Sequence, residues 1–428
     1  MKILIVGAGG REHALAWKIA TSPLCRRLYV APGNGGTAEW NIPVAANDIA
    51  GLTEFARREK VDLTVVGPEE PLTLGLADAL RAENLTVFGP GREAARLEGS
   101  KAFAKEVMAK AGAPTAASRV FTEQAAACAY IEKTGTPVVV KADGLAAGKG
   151  VIVTRTAAEA KQAVHDVMGG AFGRAGERIV VEERLTGPEV SLLCFCDGET
   201  ARPMTAVQDH KRIFDGDAGP NTGGMGVCAP PSFWTPALEA EAMERVVTPT
   251  LREMRRRGAP FTGVLFVGLM LTDAGLRVLE YNVRFGDPET QALMMLLQSD
   301  LVPLLLACAR GGGLETARVE WRPEAAVCVV MAAPGYPGPY AKDIPLALPQ
   351  ATPEYAAIFH AGTALRDGAY LSAGGRVLGV TARGADLTAA RARAYALTEK
   401  IGFPGARFRR DIAGVERSGS GDEKNTGR

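Results

Sequence analysis

The chain has 428 residues, more than a single hydrophobic core organises, so two to four domains are expected. Hydrophobic residues make up 47% and charged residues 23%, with 49 basic side chains against 48 acidic; this is the make-up of a globular protein and leaves no global field for nucleic acid or a membrane surface. No apolar run approaches the roughly 18–20 residues that span a bilayer, and the seven cysteines carry no CxxC or Cys/His ligand spacing.

The opening MKILIVGAGGREH reads as a strand and turn rather than a signal peptide, and a reduced, cytoplasmic protein is expected. The first hundred residues alternate short apolar runs (KILIV, RLYVA, DLTVV, LTVFG) with helical patterns near 11–21, 51–60, 72–83 and 92–98. That alternation predicts a parallel sheet with βαβ crossovers. A helix from Lys101 to Ala111 should stop at Gly112, with Pro114 just beyond. A second α/β unit follows: helix 123–133, strand 137–142, a Gly/Ala-rich loop, strand GVIVT, helix 156–168, then strands RIVVEE and EVSLLCF. Cys194 and Cys196, two apart on the last of these, share one face and read as packing. From about 200 to 235 the chain is rich in Gly, Pro, Asp and Asn and predicts a long ordered loop of functional weight. A helix over 237–257, strands near 264–271 and 276–282 and a helical stretch at 291–310 close the central unit. A small α/β or β-rich unit follows over 325–415, and a tail without apolar content predicts disorder.

Five motifs could carry chemistry. Gly7, Gly9 and Gly10 follow the first strand, but Glu12 stands where GxGxxG needs glycine, and APGNGG replaces a ribose-binding acid after the second strand. NAD is therefore disfavoured; a substrate phosphate on the helix N-terminus is the better reading, and a tight turn without ligand the alternative. In PVVVKADGLAAGKGV, Lys141 ends a buried strand and a glycine flap bearing Lys149 returns into the next, an arrangement found in ATP-grasp enzymes and distinct from a Walker loop. In VVEERLTGPEV a turn between lobes offers backbone to an adenine edge and carboxylates to a ribose, or is simply a charged turn. In VLEYNVRFGDPETQ, Glu280 and Asn282 share a strand face and suit Mg²⁺ that keeps nucleotide phosphates, with Arg284 beside them. Asp287, Pro288 and Glu289 there read as N-cap, N1 and first-turn acid of the next helix. In QDHKRIFDGDAGPNTGGMG, Asp209, Lys211 and Arg212 bring both signs to a glycine-rich segment, as an amino acid and a sugar phosphate together require.

In this order and spacing, VGAGGREHALAW, VVGPEEPL at 65–72, SKAF at 100–103, VKADGLAAGKGV at 140–151, QDHKR, GPNTGGMG and EYNVRFGDPETQ at 280–291 resemble the phosphoribosylamine–glycine ligase family of the ATP-grasp superfamily, over about residues 1–415. The resemblance implies an α/β protein: an N-terminal parallel-sheet α/β domain (1–100), a two-lobed ATP-grasp α+β core (101–325, flexible lobe about 115–190), a small C-terminal α/β domain (326–415) and a disordered tail (416–428). It implies ATP contacts from Lys101, Lys141, Gly144, Gly148, Lys149 and Gly150, with Glu182 and Leu185 at the adenine and Glu189 at the ribose. It places the small substrates, glycine and phosphoribosylamine, near Gly9, Gly10, Arg11, Glu12, Glu69, Pro71, Asp209, Lys211, Asn221, Gly223, Gly224, Met225 and Arg284. Lys141, Arg284, Asp209 and Lys211 would be catalytic, and Glu280 and Asn282 would hold Mg²⁺ or Mn²⁺. A further acid that many ATP-grasp enzymes carry about a dozen residues earlier falls here in FVGLML, which has none. The same motifs leave room for another ATP-grasp ligase or carboxylase, or for a non-catalytic nucleotide-binding module. A monomer or weak oligomer is expected.

Overall fold

The structure is a computed structural model that describes residues 1–135, 137–145 and 150–414. The N-terminal strands Lys2–Gly7, Arg27–Pro32, Leu63–Val66 and Val87–Phe88 form the expected parallel sheet, with the first strand between the second and third. Each strand is a nearly unbroken apolar run because helices cover both faces, and Ile3, Leu4, Ile5 and Val6 are all fully buried. The chain reverses its winding at the carboxyl end of the first strand, the position where open α/β sheets place a ligand crevice.

The next helix is Lys101–Ala111 as predicted. Ser100 caps it by accepting from Phe103 N at 3.1 Å, a contact of about 1 kcal/mol, and Gly112 ends it in the left-handed region at φ 68°. Two antiparallel sheets follow. The first orders Ser118–Phe121, Ile179–Glu183, Val138–Ala142 and Val151–Val153, and packs on the helices Gln124–Thr134 and Ala157–Asp166 around its own small core. The second orders Ala201–Pro203, Glu189–Asp197, Thr262–Thr272 and Gly275–Asn282. Its core is continuous with that of the N-terminal sheet, since Leu4, Val66, Leu192, Leu265 and Val278 belong to one buried cluster. Cys194 and Cys196 lie in it together, as their spacing predicted.

The glycine-rich stretch at 200–235 is not the long loop expected. Gln208–Asp209 and Gly226–Ala229 enter a five-stranded sheet with Ala325–Ala332, Arg376–Gly384 and Ala356–His360. Between them Arg212–Phe214 and Ala218–Asn221 make a separate two-stranded hairpin. Strands of two or four residues fall below the length at which alternation is readable, which is why composition alone suggested a loop. The single helix expected at 237–257 is Pro236–Ala242, a π turn at Met243–Val247 and Thr248–Arg256; the stretch at 291–310 is two helices, Glu289–Leu296 and Leu301–Arg310.

Candidate active site

Glu280 and Asn282 come off the same face of the Gly275–Asn282 strand, and cross-strand pairing sets Gly268 and then Ser191 beside Glu280. Around this floor gather Glu189, Asp209 and Lys211, which line one small cleft with Ser191, Gly268 and Glu280. Burial would raise the Glu280 carboxyl, but Lys211, Lys141, Lys101 and Arg284 together hold it below its ordinary value. A carboxylate kept ionised among cations is a suitable ligand for a phosphate-bound metal. Among the described residues no group of three or more His, Cys, Asp or Glu is set to hold an ion. Two hard oxygen donors therefore fit Mg²⁺ or Mn²⁺ only together with a nucleotide's own oxygens.

Lys141 ends the Val138–Ala142 strand and reaches across to the second sheet, donating to Leu279 O at 3.1 Å. It also pairs with Glu182 Oε2 at 3.0 Å, while Lys105 meets Glu182 Oε1 at 3.1 Å and donates to Thr115 Oγ1 at 2.7 Å. All three charged side chains are under 9% exposed. Burial, reinforced by Lys141 and opposed by Glu182, brings the Lys105 ammonium down to about 8. The carboxylate of Glu182 is thus committed beneath the lysines. Leu185, just past the strand end, is half-buried. Lys101 donates to Gly144 O at 3.1 Å, and Ala142 N donates to Gly150 O at 2.8 Å across the base of the flap. Gly148 and Lys149 lie outside the described residues. Asp143, next to the flap, accepts from Ser100 Oγ at 2.9 Å and Ala102 N at 3.0 Å and pairs with Arg178. It ties the flap's root to the helix that carries Lys101 and Lys105.

The acidic end departs from the sequence expectation at Asp287. Glu189, expected at a ribose, pairs with Lys211 Nζ at 2.6 Å, each side chain 41% exposed. Asp287 is not a helix cap: Pro288 occupies that position and Asp287 accepts from Arg11 N at 3.2 Å and Gln291 Nε2 at 2.9 Å, with Arg376 at 3.6 Å. Burial would raise its carboxyl, but Arg376 and Arg11 bring it below the usual value. Glu289 and Asp209 go the other way, raised by burial and with like charges nearby. Among the described residues, Asp209 Oδ1 is buried without a hydrogen-bond partner. A pair of this kind calls for a cation or proton between its members.

The N-terminal glycine turn already holds an anion of its own. Gly9 N donates to Glu12 Oε2 at 2.6 Å, and Arg11 Nε pairs with Glu12 Oε1 at 2.5 Å, both side chains buried. Arg11 N is also taken, by Asp287, and Gly10 is packed close to the Gln291 amide. Pro71 is buried inside the Glu69–Leu74 helix, and Met225 is fully buried with Ile213 and Ala332. Asn221 pairs with Arg212 in the hairpin, Gly223 N donates to Tyr336 Oη at 3.2 Å, and Gly224, at φ +107°, leaves space that a Cβ would close to 2.6 Å from Asp209 Oδ1.

Arg284 lies beside Asn282 as expected, donating to its Oδ1 at 3.3 Å, and is also held by Glu69 at 3.2 Å and Glu98 at 2.9 Å. Burial, with Glu69 adding and Arg284 opposing, lifts the Glu98 carboxyl to about 7. Glu98, Lys105 and Arg376 were not singled out in the sequence. Lys105 is one helical turn beyond Lys101, and that spacing was the available signal. Arg376 comes from the C-terminal sheet and donates to Gly224 O at 3.3 Å and Asp287 O at 2.7 Å, a long-range pairing with no local signature.

A two-sheet core with Lys101 and Lys141 near Glu280 and with Asn282 on the same strand face as Glu280 has the build of an ATP-grasp enzyme, a class that uses ATP to activate carboxylates. Comparisons with known proteins agree and narrow it. The phosphoribosylglycinamide synthetase N domain matches residues 1–98, the ATP-grasp (A) domain 99–290 and the C domain 326–415. A phosphoribosylamine–glycine ligase of Mesorhizobium japonicum is 53% identical over 416 residues, covering 96% of this chain and 97% of its own length, and one of Agrobacterium fabrum is 52% identical over 415 residues with 96% and 98% covered. The crystal structure of a phosphoribosylamine–glycine ligase from Thermotoga maritima superposes with a TM-score of 0.85 at 36% identity, covering 96% of this chain and all of that one. A biotin carboxylase from Campylobacter jejuni shares the fold alone, at TM-score 0.71 and 14% identity, with 96% and 94% covered. The chain belongs to the phosphoribosylglycinamide synthetase, or phosphoribosylamine–glycine ligase, family. Among the described residues no helix is long and apolar enough to cross a membrane.

Proposed function

We propose that the chain joins glycine to 5-phosphoribosylamine at the expense of ATP, giving glycinamide ribonucleotide, ADP and phosphate. It is an ATP-dependent carbon–nitrogen ligase of purine biosynthesis. A glycine carboxylate oxygen attacks the γ-phosphorus, the β–γ bridging P–O bond breaks, and ADP leaves glycyl phosphate behind. The phosphoribosylamine nitrogen then attacks the acyl carbon, phosphate departs, and the nitrogen gives up a proton to form the amide. Neither step needs a covalent enzyme nucleophile; positioning and fixed charge supply the catalysis.

The observation that carries this reading is the meeting of two charge fields over one strand face. Lys101, Lys141 and Lys211 surround Glu280 on the phosphate side, and Asp209 with Glu289 stand on the other. The lysines offset charge on the transferring phosphoryl group. Asp209 Oδ1, buried and unpartnered among the described residues, suits the glycine ammonium, and the repulsion between Asp209 and Glu289 would be relieved by it. Arg284, pinned by Glu69 and Glu98, keeps the Asn282 oxygen oriented. Mg²⁺ or Mn²⁺ held by Glu280 and Asn282 would neutralise phosphate charge.

The test is ADP release by purified chain with glycine, bicarbonate or other small carboxylates, each with and without phosphoribosylamine. Turnover that requires glycine and phosphoribosylamine together supports the assignment. Turnover with bicarbonate in place of glycine, or ATP binding without glycine-dependent phosphate release, overturns it.

A further inference from the structure

The hairpin that follows Lys211 is poorly able to hold itself. Its strands Arg212–Phe214 and Ala218–Asn221 pair with each other and, among the described residues, with no larger sheet, their register slips between Arg212 and Phe214, and Phe214 is 44% exposed. An isolated two-stranded ribbon is marginal in water at best. What orders it is the last described stretch of the chain. Arg409 is 2% exposed and lies against the hairpin, from Arg212 at its base to Asp217 in its turn. Its Nη1 donates to Arg212 O at 3.1 Å and to Asp217 Oδ1 at 2.7 Å, and its Nε and Nη2 grip both oxygens of Asp411 at 2.7 Å. The backbone completes the clamp: Gly216 N donates to Asp411 Oδ2 at 2.8 Å and Arg410 N to Asp215 Oδ1 at 2.7 Å. Tyr395 fixes the strap from behind, donating to Arg409 O at 2.7 Å and accepting from Ile412 N at 3.1 Å.

The clamp ends where the candidate site begins. Arg212, whose carbonyl Arg409 holds, follows Lys211 directly, and Thr222 at the far end of the hairpin donates to Lys211 O through both N (2.8 Å) and Oγ1 (2.7 Å). Ala413 N also reaches His210 Nε2 at 3.4 Å, on the other side of Lys211. We propose that Arg409 is a positioning residue for the ligation reaction: through the hairpin it fixes the backbone from which Lys211 is aimed at Glu189 and Glu280. The inference rests on the role given to Lys211 above. A planar guanidinium suits this place because it donates in several directions at once, bidentate to one carboxylate and singly to a second carboxylate and a carbonyl.

Arg409→Met, Arg409→Lys, Lys211→Met and Arg383→Ala are compared in the full chain by steady-state ADP release, thermal unfolding and amide exchange over 212–222. Arg383, bonded to Glu324 at 2.7 Å in the C-terminal sheet, serves as a purely structural control. Arg409→Met should lower kcat on the order of 10–100-fold, the scale of a misplaced catalytic group, with KM for ATP within about twofold and faster exchange in the hairpin. Arg409→Lys, which keeps the charge but not the bidentate fork, should recover only part of that loss, and Arg383→Ala should lower the thermal midpoint without the drop in kcat. A folded Arg409→Met with wild-type kcat, or a loss no larger than that of Arg383→Ala per folded molecule, overturns the inference. If Arg409→Met does not fold, Arg409→Lys and Asp217→Asn decide, and wild-type kcat and exchange in both overturns it. An unimpaired Lys211→Met refutes the reading of Lys211 itself; a dead Lys211→Met beside unaffected Arg409 variants refutes the clamp alone.

Discussion

Replacing Glu182 with glutamine removes the carboxylate that Lys105 and Lys141 share at 3.1 and 3.0 Å. At an effective dielectric of about 20, each attraction is about 5 kcal/mol before desolvation is counted. Desolvation offsets much of this in forming the triad, yet it does not help once one member is gone: breaking a buried pair by truncation costs about 3–5 kcal/mol. For a unit the size of the ATP-grasp domain, that is a fall in thermal midpoint of about 6–20 °C. Lys105 already titrates near 8, so losing Glu182 drives it further down and part of the cost is met by deprotonation. The variant should therefore regain stability as pH rises from 7 to 9 more steeply than wild type does. Phosphate oxygens can replace the lost carboxylate, so ATP should raise the midpoint of Glu182→Gln more than that of wild type, although KM for ATP rises. Thermal unfolding with and without MgATP at pH 7 and 9 measures all of this. A midpoint within 2 °C of wild type together with unchanged KM for ATP would refute the triad as a structural element of the phosphate site.

Glu98 gives a pH prediction of opposite sense. Its carboxyl ordinarily titrates at 4.5 and is lifted to about 7 in the fold, so the folded state holds a proton the unfolded chain has released, and stability declines between those values by about 3 kcal/mol. Glu98→Gln, already neutral, should gain about 2–3 kcal/mol on wild type between pH 5 and pH 8; an equal midpoint difference at both pH values counts against it. Glu280→Gln should lower kcat on the order of 10²–10³-fold, or about 2.7–4 kcal/mol, and raise the Mg²⁺ concentration for half-activation; near-wild-type turnover would remove Glu280 from the phosphate end. Gly224→Ala sets a methyl 2.6 Å from Asp209 Oδ1 and 2.7 Å from Pro288 in a left-handed conformation. Its kcat/KM for glycine should fall about 100-fold, with KM for ATP little changed, and an unaffected glycine term would displace Asp209 from that substrate's site.

The elements that the sequence made legible are those whose cause is local. The four N-terminal strands, the helix bounded by Ser100 and Gly112 and the Glu280/Asn282 face follow from periodicity, capping and strand alternation. What escaped depends on groups far apart in the chain. Glu182, expected at an adenine edge, gave no local sign of the two lysines that pair with it. The amide of Arg11 looked free for a phosphate, and only the fold brings Asp287 onto it. Arg376 has no motif at all; its role arises from the strand that carries it to Gly224 and Asp287.

The five-stranded sheet takes two strands from residues 208–229 and three from beyond residue 324. The chain therefore weaves its substrate-side wall into a unit that is discontinuous in sequence. A chimera that exchanges everything after residue 325 between two relatives would mate foreign strands along the Gly226–Ala229 edge and sever Arg376 from the turn it was matched to. The exchangeable module is the sheet with its hairpin, so recombination that respects function has to cut three times, once on each side of the 208–229 segment and again before Ala325.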